Sequence, residues 1–174
     1  MTKTTIFKAL ACAALISLSA SAGAVGSVRI AAHRGFWDCE AAKRTENSIG
    51  SLKAAQDNGF WGSEFDIHLT SDNEIVVHHD ASIQGQSIHR NTYECLKQFK
   101  LADGTSMPTL DEYLTQGEKF PETVLVVEFK KHSDLNQENT LVDLTLKKLK
   151  EHGLYDPSRV MFISFSMNMC ERIA

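Results

Sequence analysis

The sequence predicts an α/β fold built on a parallel sheet, and three observations carry that prediction. Apolar, β-branched runs alternate along the chain with segments of helical periodicity, the order that βαβ units require. The run 124–129 is apolar on both faces apart from Glu128, as in a strand covered on both sides. Charged residues gather at the ends of the predicted strands, where α/β folds build their sites.

The elements follow in order. Residues 28–32 make a short apolar strand that ends at His33-Arg34-Gly35. Asn47 or Ser48 caps a helix that reaches about residue 58, with Ile49, Leu52 and Ala55 on one face and Gly59 as its stop. From 64 to 69 the pattern alternates strictly. Glu64, Asp66 and His68 face one side, Phe65, Ile67 and Leu69 the other. A turn at Ser71-Asp72-Asn73 leads into a strand over 75–79, so a hairpin extends the second strand. Residues 82–108 read as irregular, with a short helix near 92–99. Thr109 caps a helix through about residue 116, with Glu112 at the capping-box position. After the 124–129 strand, a longer helix spans roughly 139–152, carries Leu141, Leu144 and Leu149, and stops at Gly153. A strand at 160–165 and a helix starting at 168 complete four β/α units, the last unfinished.

A length of 174 residues suits one domain. The net charge is −4, and no basic run exceeds Lys130-Lys131 or Lys147-Lys148, which argues against nucleic acid as a partner. Residues 1–24 read as a secretory signal peptide: Lys3 and Lys8, an apolar small-residue run over 9–20, then Ala22-Gly23-Ala24 as a cleavage site. The run is too short to span a bilayer, so no stable membrane anchor is expected. The functional domain is expected at 25–174, secreted or periplasmic in a bacterium. Cys39, Cys95 and Cys170 then remain, with no C-x-x-C pair to make a thiolate zinc site. An oxidising compartment permits one bridge, with Cys39–Cys95 the candidate and free thiols the alternative.

Glu64 and Asp66 on the second strand and Glu128 on the third bring three carboxylates to one mouth. Unpaired carboxylates there are expensive, so a positive charge must lie between them. Arg34 and Lys130 supply it as a structural ion-pair network in one reading. In the other, a hard divalent cation does, Ca²⁺ or Mg²⁺ rather than zinc, because every ligand is oxygen. Two histidines beside such an ion suit general acid and general base.

Six motifs then stand in sequence: Ala32-His33-Arg34-Gly35, Glu46-Asn47-Ser48, Gly62-Ser63-Glu64-Phe65-Asp66-Ile67-His68-Leu69-Thr70, Val76-Val77-His78-His79-Asp80, Pro108-Thr109-Leu110-Asp111 and Glu128-Phe129-Lys130. In order and spacing they resemble the glycerophosphodiester phosphodiesterases, over about residues 28–166. The resemblance implies a (β/α)8 TIM barrel of the PLC-like phosphodiesterase type, of which this chain carries about the first four β/α units. It implies His33 and His79 as the acid/base pair and Glu64, Asp66 and Glu128 as metal ligands. Arg34 and Lys130 are implied as phosphate-binding groups. His79 is preferred to His78 because it directly precedes Asp80, and strand alternation sets the two on opposite faces. Glu46 and Asn47 are expected to brace the site or cap the helix, and His68 to line the pocket outside the core set. Phe36, Trp37 and the 82–108 segment shape the leaving-group pocket or serve packing.

The implied reaction is metal-dependent hydrolysis of a small-molecule glycerophosphodiester to glycerol phosphate and an alcohol. A noncatalytic phosphate-ligand-binding barrel and a secreted phospholipase acting on lipid headgroups are the alternatives. The barrels of this fold class run to about 250 residues. The chain is therefore expected to be a fragment that does not turn over alone, with its first and fourth strands as sheet edges and Val160, Phe162 and Phe165 exposed.

Overall fold

The computed structural model describes residues 28–174. The expected signal peptide lies outside the described residues. Four strands of a five-stranded sheet run parallel in the order β1 (Ala31–Ala32), β2 (Gly62–Leu69), β6 (Val124–Phe129) and β7 (Val160–Ser164). Helix α1 (Ile49–Asp57) follows β1, α3 (Leu110–Gly117) precedes β6, α4 (Leu135–Glu151) follows it, and α5 (Met167–Ile173) follows β7. The first and last of these strands are the two edges, as expected. The four-unit reading therefore stands.

All eight residues of β2 are buried, since the strand sits between β1 and β6 with helices behind it. Phe65, Ile67 and Leu69 enter a core with Leu52 of α1, Leu110, Tyr113 and Leu114 of α3, and Leu141 and Leu149 of α4. Burying each such side chain contributes roughly 1.5–3 kcal/mol, so this layer holds the sheet against its helices. With the core on that face, Glu64, Asp66 and His68 take the other.

The hairpin is present: β3 (Ile75–Val77) pairs antiparallel with β2, but it stops two residues short of the expected end. The 82–108 segment is more ordered than expected. It holds a small hairpin, β4 (Ser82–Ile83) and β5 (Gln86–Ser87), a 3-10 turn at Ile88–Arg90, and α2 (Tyr93–Leu96). Ile83, Ile88, Leu96 and Met107 close over Val76 as a second apolar cluster, which explains the order.

Two further expectations need correction. Val160 is buried and Phe162 packs against the core, because α4 and α5 cover that face of β7. Phe165 is exposed as expected, and the other exposed apolar residues at β7 and the start of α5 are Met161 and Ile163, on the opposite face of the strand, and Met167. Cys39, Cys95 and Cys170 are free thiols, so the Cys39–Cys95 bridge is not formed. Cys39 is occupied locally, its Sγ lying 3.1 Å from the Phe36 carbonyl. Among the described residues no helix is long and apolar enough to cross a membrane.

Candidate active site

Three consecutive residues at the end of β1 open the site. Arg34 and Gly35 both adopt left-handed backbone, φ +57° and +78°. At Gly35 only glycine fits, since a Cβ there would stand 2.4 Å from the Ser51 hydroxyl and 2.7 Å from its backbone. The Gly35 N–H donates to the Glu64 carbonyl at 3.0 Å, pinning this turn onto β2. One residue earlier, the Arg34 N–H donates to Glu64 Oε2 at 2.6 Å. His33 is solvent-facing, with Nε2 3.9 Å from the same oxygen.

Glu64, Asp66 and Glu128 converge as expected: each offers a carboxylate oxygen, all within 4.8 Å of one another. The register explains it, because Asp66 lies directly beside Glu128 across the β2–β6 ladder. Lys130 sits at the rim with Nζ 2.9 Å from Glu128 Oε1 and 3.1 Å from Asp66 Oδ1. The second contact is an ion pair without the alignment of a hydrogen bond. Burial opposes the Lys130 charge, but Glu128 and Asp66 outweigh it and raise its pKa. Arg34 reaches elsewhere, donating through Nη1 to Glu46 Oε2 at 2.8 Å. Its pKa is likewise raised against burial by Glu46, Asp66 and Glu64.

The ion-pair network is therefore real but incomplete. Glu64 Oε1 and Asp66 Oδ1 are buried and accept no hydrogen bond. Glu64 is pushed up to about 7, first by burial and then by the like charges of Asp66 and Glu128, against the pull of the Arg34 N–H. Three crowded carboxylates with two bare oxygens fit a hard divalent cation, and the oxygen-only donor set fits Ca²⁺ or Mg²⁺.

At the end of β3 the His78 N–H donates to the Asp66 carbonyl at 3.0 Å, which brings His78 and His79 level with the carboxylates. Strand alternation stops at Val77, so it does not separate these two histidines. The His79 ring holds Asp80 Oδ1 through Nδ1 at 2.8 Å, and its carbonyl lies 3.2 Å from His68 Nε2. His68 is buried and driven down to about 4, chiefly by burial. It stacks edge-on to His132, a buried neighbour absent from the sequence reading. Ser48, not Asn47, caps α1. The Asn47 amide instead contacts Asp66, the bracing role that was the other expectation for it.

Comparison with known proteins now has geometry to meet. Residues 33–174 match the model of the Glycerophosphoryl diester phosphodiesterase family, a match that begins just after β1 and takes in β2, β6 and β7. The chain belongs to that family. A glycerophosphodiester phosphodiesterase from Parabacteroides distasonis is 39% identical with a TM-score of 0.79, over 83% of this chain and 59% of its own. A phosphodiesterase from Oleispira antarctica, solved with the product sn-glycerol-3-phosphate, is 22% identical with a TM-score of 0.68, over 83% of this chain and 60% of its own. The enzyme from Thermotoga maritima is 23% identical with a TM-score of 0.64, over 84% of this chain and 58% of its own. At these lower identities the likeness shows the fold. Comparison with curated proteins gave no match. Family membership identifies the parallel sheet of four β/α units as part of a TIM barrel. The chain spans about three-fifths of the length of these solved relatives.

Proposed function

We propose that this chain carries the catalytic half-site of a metal-dependent glycerophosphodiester phosphodiesterase. The observation that carries the reading is the pair of buried oxygens on Glu64 and Asp66 that accept no hydrogen bond, set between Arg34 and Lys130 at the strand ends. Glu64, Asp66 and Glu128 would hold a divalent ion, which when bound polarises the phosphate and offsets its charge.

The remaining chemistry belongs to the side chains. Arg34 and Lys130 bind the other phosphate oxygens, since a guanidinium and an ammonium offset charge that grows toward the transition state. Asp80 on Nδ1 of His79 leaves Nε2 as that ring's acceptor, so His79 takes the proton from the attacking hydroxyl. That hydroxyl is water, or the neighbouring glycerol hydroxyl by way of a cyclic phosphate. His33, solvent-facing beside Glu64, protonates the departing alcohol as its P–O bond breaks. The family name, and a relative solved with sn-glycerol-3-phosphate, support glycerol phosphate as the retained half of the substrate. Export by residues 1–24 belongs to the same proposal and is tested by cell fractionation.

Release of alcohol from a glycerophosphodiester, with and without a divalent ion, tests the reading, alongside calorimetric binding of glycerol phosphate. Ion-dependent release supports it. Ion-dependent binding without release favours a binding role for this chain, and neither release nor binding overturns the proposal.

A further inference from the structure

We propose that Asn47 is a positioning residue that presets Asp66 as a cation ligand and keeps Arg34 off it. The inference rests on the metal-dependent reading above and deepens it. Asn47 is 1% exposed and held at φ +52°, a left-handed conformation that asparagine tolerates better than most residues. Its amide is spent on one neighbour. Nδ2 donates to Asp66 Oδ2 at 2.8 Å, and Oδ1 accepts from the Asp66 backbone N–H at 3.1 Å. Gripped at both its backbone and its carboxylate, Asp66 keeps one oxygen outside that grip. That oxygen, Oδ1, accepts no hydrogen bond and faces the Lys130 ammonium at 3.1 Å.

The same contact settles a competition. Arg34 Nε is buried without a hydrogen-bond partner, 4.0 Å from Asp66 Oδ2. That oxygen is an acidic acceptor close to Nε, but the Asn47 amide already occupies it. A collapsed Arg34–Asp66 pair would neutralise the ligand and withdraw the guanidinium from the phosphate. A neutral amide prevents this and adds no charge of its own. Asn47 also ties the two segments together, its backbone N–H donating to the Arg34 carbonyl at 3.0 Å. Groups that orient metal ligands through hydrogen bonds set affinity as well as geometry.

The alternative is that Asn47 is present only for its backbone conformation, and glycine distinguishes the two. Asn47→Gly satisfies a positive φ with no strain and deletes the amide; Asn47→Ala deletes the amide and adds strain. Binding of Ca²⁺ and Mg²⁺ alone is measured by calorimetry on the chain and both variants, with melting curves in chelator. Both variants should lose about 10–100-fold in affinity. Both orphan the buried Asp66 N–H and should melt below the parent, Asn47→Ala the lower of the two because it adds backbone strain. An Asn47→Gly chain that binds the ion as tightly as the parent overturns the inference and leaves the metal reading standing. A parent chain that binds neither ion overturns both.

Discussion

Arg34 turns its backbone toward Glu64 and its side chain away from it. The N–H donates to Glu64 Oε2 at 2.6 Å, whereas the guanidinium lies 2.8 Å from Glu46 Oε2. The left-handed turn at Arg34-Gly35 makes this division possible. One residue thereby does two jobs. Its amide favours the ionised form of a buried carboxylate, and its charge stays available at the rim.

The two jobs separate in Arg34→Ala, which keeps the N–H and removes only the guanidinium. The Michaelis constant for a glycerophosphodiester should rise and turnover should fall, because a charge-assisted contact to phosphate is lost. Steady-state kinetics check this. Unchanged constants would place the Arg34 side chain in a purely structural pair with Glu46.

Chelation should abolish turnover, and Ca²⁺ or Mg²⁺ should restore it. Three carboxylates crowd together, Glu64 Oε1 accepts no hydrogen bond, and Asp66 Oδ1 is met only by the Lys130 ion pair. Activity that persists in excess chelator would sink the metal role.

His33→Ala and His79→Ala should each lower turnover by about 10²–10⁴, the span of a lost general acid or base. His78→Ala should cost far less. The two adjacent histidines are level with Asp66, so the comparison is informative. Equal damage from the His78 and His79 changes would reassign the base.

The parallel sheet was legible from strands alternating with helices, and the carboxylate cluster from alternation on β2 and from a lone acid in the apolar run of β6. The strand order was implied only by the family resemblance. Helix α4 shows where the pattern fails. The sequence reading starts it at residue 139, yet it begins at Leu135 behind the cap Asp134. Leu135 is 61% exposed, so the first turn carries no apolar periodicity to detect. The exposed face of β7 was misjudged for a related reason. A strand apolar on both faces does not say which face its helices cover. Glu138 is harder still, since its partners Ser166 and Asn168 lie 28 and 30 residues away.

The pH dependence of stability should carry the mark of Glu64. In the ion-free chain its value of about 7 lies above the ordinary 4.5, so the folded state holds the proton more tightly. That contribution favours folding below about pH 4.5 and is lost as pH rises toward 7. His68, lowered to about 4, works oppositely and loses its contribution as pH falls from 6.5. The parent curve mixes the two, but the difference between Glu64→Gln and the parent isolates the first. In chelator, the melting temperature of Glu64→Gln should gain on the parent between pH 4.5 and 7. A difference independent of pH would show that Glu64 is not held above its ordinary range.

Glu138 offers a stability test away from the carboxylate cluster. It is 1% exposed, and its carboxylate joins the loops after β6 and β7. Oε1 accepts the His132 N–H at 3.2 Å; Oε2 accepts the Ser166 hydroxyl at 2.7 Å and the Asn168 amide at 3.1 Å. Glu138→Ala leaves these donors without their acceptor, and at His132 and Ser166 water has little access. The cost should be about 3 kcal/mol, from a penalty of roughly 1–3 kcal/mol for a buried group left unpaired. In a chain of this size that lowers the melting temperature by roughly 6–12 °C. Glu138→Gln should fall between the two. Its remaining oxygen still accepts from His132, and the Ser166 hydroxyl can turn to accept from the new amide, while Asn168 keeps only Asn139 Oδ1 at 3.1 Å. Calorimetric melts of the three chains decide the matter, and an alanine variant as stable as the parent would show that the two loops hold their positions without this bridge.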